Sequence, residues 1–234
     1  MDTITHNNLP EPIVSNLDHS VTTSGSSLDP AQHVFKTPDQ PKTSTMPDPT
    51  FQITTPRLKI SHLNPSDPSH CDFLVSLWNT PEFITMLEGK PTSITTPSAA
   101  KSLIETRFAS DHARNGYGIF LVSLLESNVP IGTVSLMRGE NSSLRAPDMG
   151  FAMLSGYMRK GFAVEAARAL LEYAERKLGV DAVFGFCDEW NEGSMGVLRK
   201  LGMKWEGVRK VKEFGGNEVA CWSWGMDDVE EYGL

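Results

Sequence analysis

The chain has 234 residues, 39% of them hydrophobic and 21% charged, with a formal net charge of −8 and a pI near 5.3. That length holds one domain plus a tail, or at most two small domains. The acidic balance argues against a nucleic-acid binder, which carries a basic surplus, and suits a cationic substrate such as an amine as well as simple solubility.

The opening residues, MDTITHNNLPEP, carry neither the basic nor the apolar region of a secretory leader. No later run reaches the ~18 apolar residues of a membrane helix. A reducing, cytoplasmic setting is the expectation. Residues 1–50 hold seven of the fifteen prolines and Phe35 as their one aromatic. Such a stretch cannot bury enough apolar area to offset its ordering entropy, so a disordered tail is predicted there. The folded domain is predicted over 54–234.

TTPRLKISHL, with Leu58 and Ile60, predicts a first strand, and CDFLVSLWN places Phe73, Leu74, Leu77 and Trp78 at helical spacing. A second helix is predicted from Thr96-Pro97, a capping residue followed by one pre-organised for the first turn. Tyr117 to Leu125 and Ile131 to Met137 predict a hairpin, and DMGFAML a third strand. The clearest helix follows the turn SGYMRKGFA, with an apolar stripe through Ala166, Ala167, Leu170 and Leu171 and a closing Gly179. Val180 to Cys187 predicts a short strand pairing in parallel. Asn191 is placed to cap a helix ending at Gly202, and a hairpin from Met203 to Met226 turns near Gly215-Gly216-Asn217. The expected fold is α/β (α+β), a mixed sheet with helices on both faces.

Cys71, Cys187 and Cys221 are odd in number and lack CxxC spacing, so neither a disulfide framework nor a zinc site is indicated and no metal is expected. They read as small buried hydrophobes. His62, His70 and His112 have no partner at catalytic or metal spacing and read as surface residues.

The chemistry is concentrated in Met158-Arg159-Lys160-Gly161-Phe162-Ala163, between a strand and a strong helix. A glycine-containing turn there lets backbone N–H groups converge ahead of a helix N-terminus, where the dipole favours an anion such as a pyrophosphate. Arg159 and Lys160 add positive charge for further phosphates. A single glycine at this place also serves packing alone.

The stretch from Asp148 to Gly207 resembles motifs A and B of the GNAT acetyltransferases, closest to the ribosomal-protein N-terminal acetyltransferase branch. The resemblance is carried by Asp148, Gly150-Phe151, Gly161-Phe162-Ala163, Glu165-Ala166, Asn191 with Ser194, and Lys200-Leu201-Gly202-Met203. It is carried also by Thr54 to Leu58 and Pro130 to Thr133. The turn departs from the pattern at Met158, usually Gln or Arg, and at Arg159, usually Gly.

The resemblance implies a mostly antiparallel sheet splayed at its centre, acetyl-CoA (coenzyme A) as cosubstrate, and direct attack by a primary amine, from a peptide or protein N-terminus or a small molecule. It implies pantetheine pairing along Phe151 to Met153 and phosphate binding by residues 158–163. Asp148 is then a base, acting directly or through water, or a strand-end carboxylate facing solvent. Ser194 assists the thiolate or caps its helix, and Asn191 bonds the pantetheine or the helix end. Glu140 is a weaker base, and Glu165 a dipole partner in the first helical turn. The alternatives are a catalytically silent CoA-binding module and other acyl-CoA chemistry.

Overall fold

The computed structural model describes residues 48–234 apart from Glu88. The tail expected over 1–50 therefore lies outside the described residues, except for Asp48, Pro49 and Thr50. These make a turn in which the Asp48 carboxylate accepts from the Thr50 N–H at 2.8 Å and the Thr50 hydroxyl at 2.7 Å.

The chain begins its sheet with β1 (Gln52–Thr54) and β2 (Leu58–His62), followed by α1 (Pro68–Trp78), α2 (Pro81–Met86) and α3 (Pro97–Leu103). A π-helical stretch (Ile104–Phe108) leads into α4 (Ala109–Asn115). The first three helices start alike. Asp67, Thr80 and Thr96 each precede a proline and accept from a first-turn N–H, at 2.9, 3.2 and 3.2 Å. Each such cap is worth about 1 kcal/mol.

Next come β3 (Ile119–Leu124), β4 (Pro130–Met137) and β5 (Asp148–Met153), then α5 (Phe162–Tyr173), whose last turns continue as a π-helix (Ala174–Leu178). β6 (Val183–Cys187), α6 (Glu192–Lys200), β7 (Lys204–Val211) and β8 (Asn217–Trp224) complete the fold. All eight strands share one sheet, ordered β1-β2-β3-β4-β5-β6-β8-β7. Every neighbouring pair is antiparallel except β5 with β6. β8 thus inserts between β6 and β7, and the β7–β8 connection turns through Gly215 and Gly216, both at positive φ.

Helices cover both faces. Met149 and Met153 of β5 pack with Ala166, Ala167 and Leu170 of α5, and the alanines let the helix approach closely. Full burial of Leu170 contributes about 2 kcal/mol. On the other face Leu121, Ala152 and Leu154 pack with Phe73, Leu74 and Leu77 of α1 and with Ala100 of α3. Alternation along β5 separates these two sets. Among the described residues no helix is long and apolar enough to cross a membrane.

The histidines correct the surface reading. His112 is buried and His62 half-buried, their rings 4.5 Å apart and edge-on. Phe51, just ahead of β1, and Phe120, the register partner of His62, enclose the pair. His112 Nε2 meets the Ile119 carbonyl at 3.0 Å, and Nδ1 of each ring is buried without a partner. Burial, helped by the neighbouring His112, pushes His62 down to about 4, and burial also lowers His112. Both are therefore neutral packing aromatics at pH 7. Their depressed pKa values favour the fold above about pH 6.5, a contribution lost as the pH falls through the folded values. His70 is partly buried and accepts the Asn64 N–H on Nδ1 at 2.9 Å.

Candidate functional site

The sheet opens at its centre. β5 and β6 share one register pair, Asp148 with Phe184, beside a hydrogen bond from the Phe184 N–H to the Pro147 carbonyl at 2.8 Å. β6 is paired along its length with β8 on its far side. Gly185 lets α6 press on β6, since a Cβ there would lie 2.7 Å from Leu198 Cδ2.

The direction of the β5 backbone can be followed bond by bond. The Leu136 N–H goes to Gly118 on β3's side, and Leu136 is the register partner of Met149, so Met149 does not bond to β4. The Leu154 N–H goes to Ile131. In an antiparallel ladder the bonded and unbonded residues alternate. Residues 150 and 152 therefore bond to β4, while Phe151 and Met153 turn their N–H and C=O toward the opening beside β6. Among the described residues no strand pairs with β5 there.

At the end of β5 the chain makes a 3-10 turn, Ser155–Tyr157, in which the Met158 N–H is spent on the Ser155 carbonyl at 3.2 Å. Of the expected donors, Met158 is thus committed within the turn. Arg159 follows at φ 61° and Gly161 at φ 82°. Arg159 stands in a left-handed conformation that costs a non-glycine residue about 1 kcal/mol. α5 begins at Phe162 with no side-chain cap, so the N–H groups of Phe162 and Ala163 lack intrahelical acceptors. Arg159 and Lys160 are exposed beside them, with Lys160 Nζ 5.5 Å from the Tyr157 ring centroid.

Glu165 does more than face the helix dipole. Its carboxylate accepts from the Thr55 hydroxyl at 2.6 Å, the Arg57 N–H at 3.0 Å and Arg57 Nε at 2.7 Å, and Arg57 Nη2 lies 2.6 Å away. Burial raises its pKa, and the bonds from Thr55 and Arg57 outweigh that and leave it lowered. Arg57 Nη1 also donates to the Lys160 carbonyl at 3.1 Å, and its guanidinium covers the Phe162 ring at 4.5 Å. A partner 108 residues away in sequence left no local signal.

Asp148 lies at the vertex of the opening. It shares a strand face with Ala152 and Leu154 side of the sheet, opposite α5. The residue keeps partial solvent contact, yet its carboxyl lies deep enough for desolvation to push its pKa up to about 7; its own backbone N–H opposes the shift and the Glu213 charge adds to it. Glu213 in turn holds the loop before β5, accepting from Ser142 Oγ (3.0 Å), Ser143 N (2.9 Å), Ser143 Oγ (2.8 Å) and Leu144 N (3.3 Å). Glu140 is exposed on the same loop.

Asn191 caps α6, its Oδ1 accepting the Ser194 N–H at 3.0 Å, so that oxygen belongs to the helix end. Ser194 is partly buried in the first turn of α6. The Cys187 thiol at the end of β6 is pushed up to about 12 by burial and by the Asp188 charge, so it is no nucleophile. Trp222 is buried in the core between Trp205 and Arg199. No group of three His, Cys, Asp or Glu among the described residues could hold a metal ion.

A splayed strand pair with a free inner edge, leading into an uncapped helix N-terminus, fits an elongated ligand with amides along its length and an anion at one end. The acetyltransferase (GNAT) domain family model matches residues 57–204. The uncharacterized N-acetyltransferase YnaD of Bacillus subtilis is 29% identical over 170 residues, 72% of this chain and 91% of its own length. Among solved structures, the Microcin C7 self-immunity acetyltransferase MccE, in complex with acetyl-CoA and AMP, aligns with a TM-score of 0.58 at 18% identity, over 72% of this chain and 92% of its own. The ribosomal L7/L12 alpha-N-protein acetyltransferase RimL, in complex with coenzyme A, aligns at 0.57 and 18%, over 74% and 97%. The two structural likenesses establish the fold.

Proposed function

Because this chain belongs to the acetyltransferase (GNAT) family and is an acyltransferase of that kind, we propose that it moves the acetyl group of acetyl-CoA to a primary amine, that of a peptide or protein N-terminus or of a small molecule. The observation that carries the reading is the backbone of β5. Phe151 and Met153 offer alternating donors and acceptors along an unpaired edge, which matches the amides of a pantetheine arm. That edge runs into Arg159, Lys160, Gly161, Phe162 and Ala163, where free N–H groups, a helix dipole and two cationic side chains suit a pyrophosphate. Relatives whose names specify N-acetyl transfer, and a fold neighbour bound to acetyl-CoA, support the same assignment.

Acetyl-CoA supplies an acetyl group already activated as a thioester, so an amine attacks it with no protein nucleophile. The residues' tasks are to hold a neutral amine, to take its proton and to steady developing charge. Asp148 is assigned the base: a carboxyl with a pKa near neutrality is matched to proton removal at pH 7. Ser194 is assigned a hydrogen bond to the leaving sulfur, and Asn191 holds the helix turn that presents it. A base tuned in this way favours an active enzyme over a silent CoA-binding module.

Coenzyme A at about 100 times its Kd adds about 2.7 kcal/mol to the folded state, enough to raise the melting temperature measurably. Gly161→Val removes that shift, because a β-branched residue cannot keep φ 82° and the turn must change shape to accept it. A Gly161→Val protein that binds coenzyme A like the parent would show that the turn is not the phosphate site. Mass spectrometry of an amine panel with acetyl-CoA then reads the transfer itself.

A further inference from the structure

We infer that Arg57 is a positioning residue for the acetyl-CoA phosphates, a strut that sets the peptide plane at the head of α5 while Glu165 holds the strut in place. The inference rests on the acetyl-CoA reading above. Arg57 immediately precedes β2 and its side chain crosses to the turn after β5, so it ties the start of β2 to the first turn of α5. One guanidinium makes three kinds of contact there: a close pair of bonds to Glu165, a bond to the Lys160 carbonyl, and a stack on the Phe162 ring.

The Lys160 bond sets a direction. In a trans peptide the carbonyl of one residue and the N–H of the next point opposite ways. Anchoring the Lys160 carbonyl on Arg57 therefore aims the Gly161 N–H away from Arg57, ahead of the free N–H groups of Phe162 and Ala163. Gly161 at φ 82° is the residue that permits the reversal. Without the anchor this plane is free to rotate, and the donors must be ordered at the moment a phosphate binds, which weakens affinity.

The charge placement also fits a ligand. A cation at a helix N-terminus is unfavourable on its own, because it faces the positive end of the dipole. Glu165 offsets that within the first turn, and Thr55 and the Arg57 N–H fix its second oxygen. The network therefore holds the guanidinium in one orientation, where Arg57 is free to act through the backbone.

The test compares the full chain with Arg57→Ala, Arg57→Lys and Glu165→Gln by titration calorimetry with coenzyme A and by steady-state kinetics with acetyl-CoA. Arg57→Ala is expected to raise the Kd for coenzyme A and the KM for acetyl-CoA at least tenfold, with the amine KM and the saturated kcat within about twofold. Arg57→Lys keeps the charge but cannot reach Glu165 and the Lys160 carbonyl together, so it recovers less than half of the lost affinity in logarithmic terms. Glu165→Gln moves the same two constants in the same direction, and the double variant Arg57→Ala/Glu165→Gln is no worse than Arg57→Ala. If Arg57→Lys binds as the parent does, the residue acts as a point charge and the strut is wrong. A parent that binds coenzyme A alongside an Arg57→Ala chain that binds equally well overturns this inference alone. A parent that does not bind it overturns the acetyl-CoA reading and this inference with it.

Discussion

Asp148 follows Pro147, whose carbonyl makes the bond across β5 and β6, so its carboxyl stands where the two strands part. Its folded pKa of about 7 lies above the ordinary 3.8, which means that the native state binds the proton more tightly than the unfolded chain. Ionising it costs the fold stability as pH rises from about 3.8 toward 7, and none of that cost is felt below the unfolded value. Asp148→Asn is therefore expected to raise the melting temperature at pH 8 and to leave it nearly unchanged at pH 4. The same substitution removes the proposed base, and kcat/KM is expected to fall about a hundredfold or more. The parent's pH–rate profile carries a break near 7 that the variant lacks. A stabilised variant with full activity would leave Asp148 as a destabilising bystander. A residue at the mouth of a strand pair reads from sequence only as a carboxylate; its raised pKa depends on burial where β5 meets β6 and on the Glu213 charge, and neither β6 nor Glu213 is close in sequence.

The turn from β5 into α5 was the most legible element, because its parts are contiguous: a strand, a glycine, and an apolar stripe with period 3.6. The caps at Thr96 and Asn191 were legible for the same reason. β1 was not, being three residues with a single apolar side chain, and neither was α2, which has six residues and no buried side chain. The Arg57–Glu165 clamp and the His62–His112 pair were invisible because each joins distant segments through tertiary packing. Arg159 carries a prediction at this scale. Replacing it by glycine relieves a left-handed strain of about 1 kcal/mol and gives the unfolded chain a comparable amount of extra freedom. The two nearly cancel, so the melting temperature without ligand is expected to stay within about 3 °C. The lost charge raises the Kd for coenzyme A several-fold and flattens its dependence on salt. A Kd equal to the parent's at low salt would remove Arg159 from the phosphate site.

Taken as one molecule, the acidic balance, the central opening and the base proposed at Asp148 bear on which amine reacts. The attacking nitrogen must be neutral. An α-amine has a pKa of about 7.7–8.0 and a lysine side chain about 10.4, so at pH 7 their neutral fractions differ by more than a hundredfold. The proposed base, Asp148, with a pKa of about 7, stands within about one unit of the α-amine and more than three below lysine, so the proton would leave lysine against a steep gradient. Closing that gap needs strong desolvation of the amine or a more basic partner. The other buried candidates cannot serve: His62 and His112 have lowered pKa values and are packed among Phe51 and Phe120. The net charge of −8 attracts either cation equally and does not discriminate. A peptide α-amine is therefore expected to be acetylated faster than a lysine. A peptide with a free N-terminus and no lysine should outcompete its N-blocked twin carrying one lysine, most strongly at pH 6.5, with the advantage narrowing toward pH 9 as the lysine deprotonates. Faster modification of the blocked lysine peptide at pH 7 would overturn the preference, and turnover with small amines but neither peptide would place the substrate among free metabolite amines.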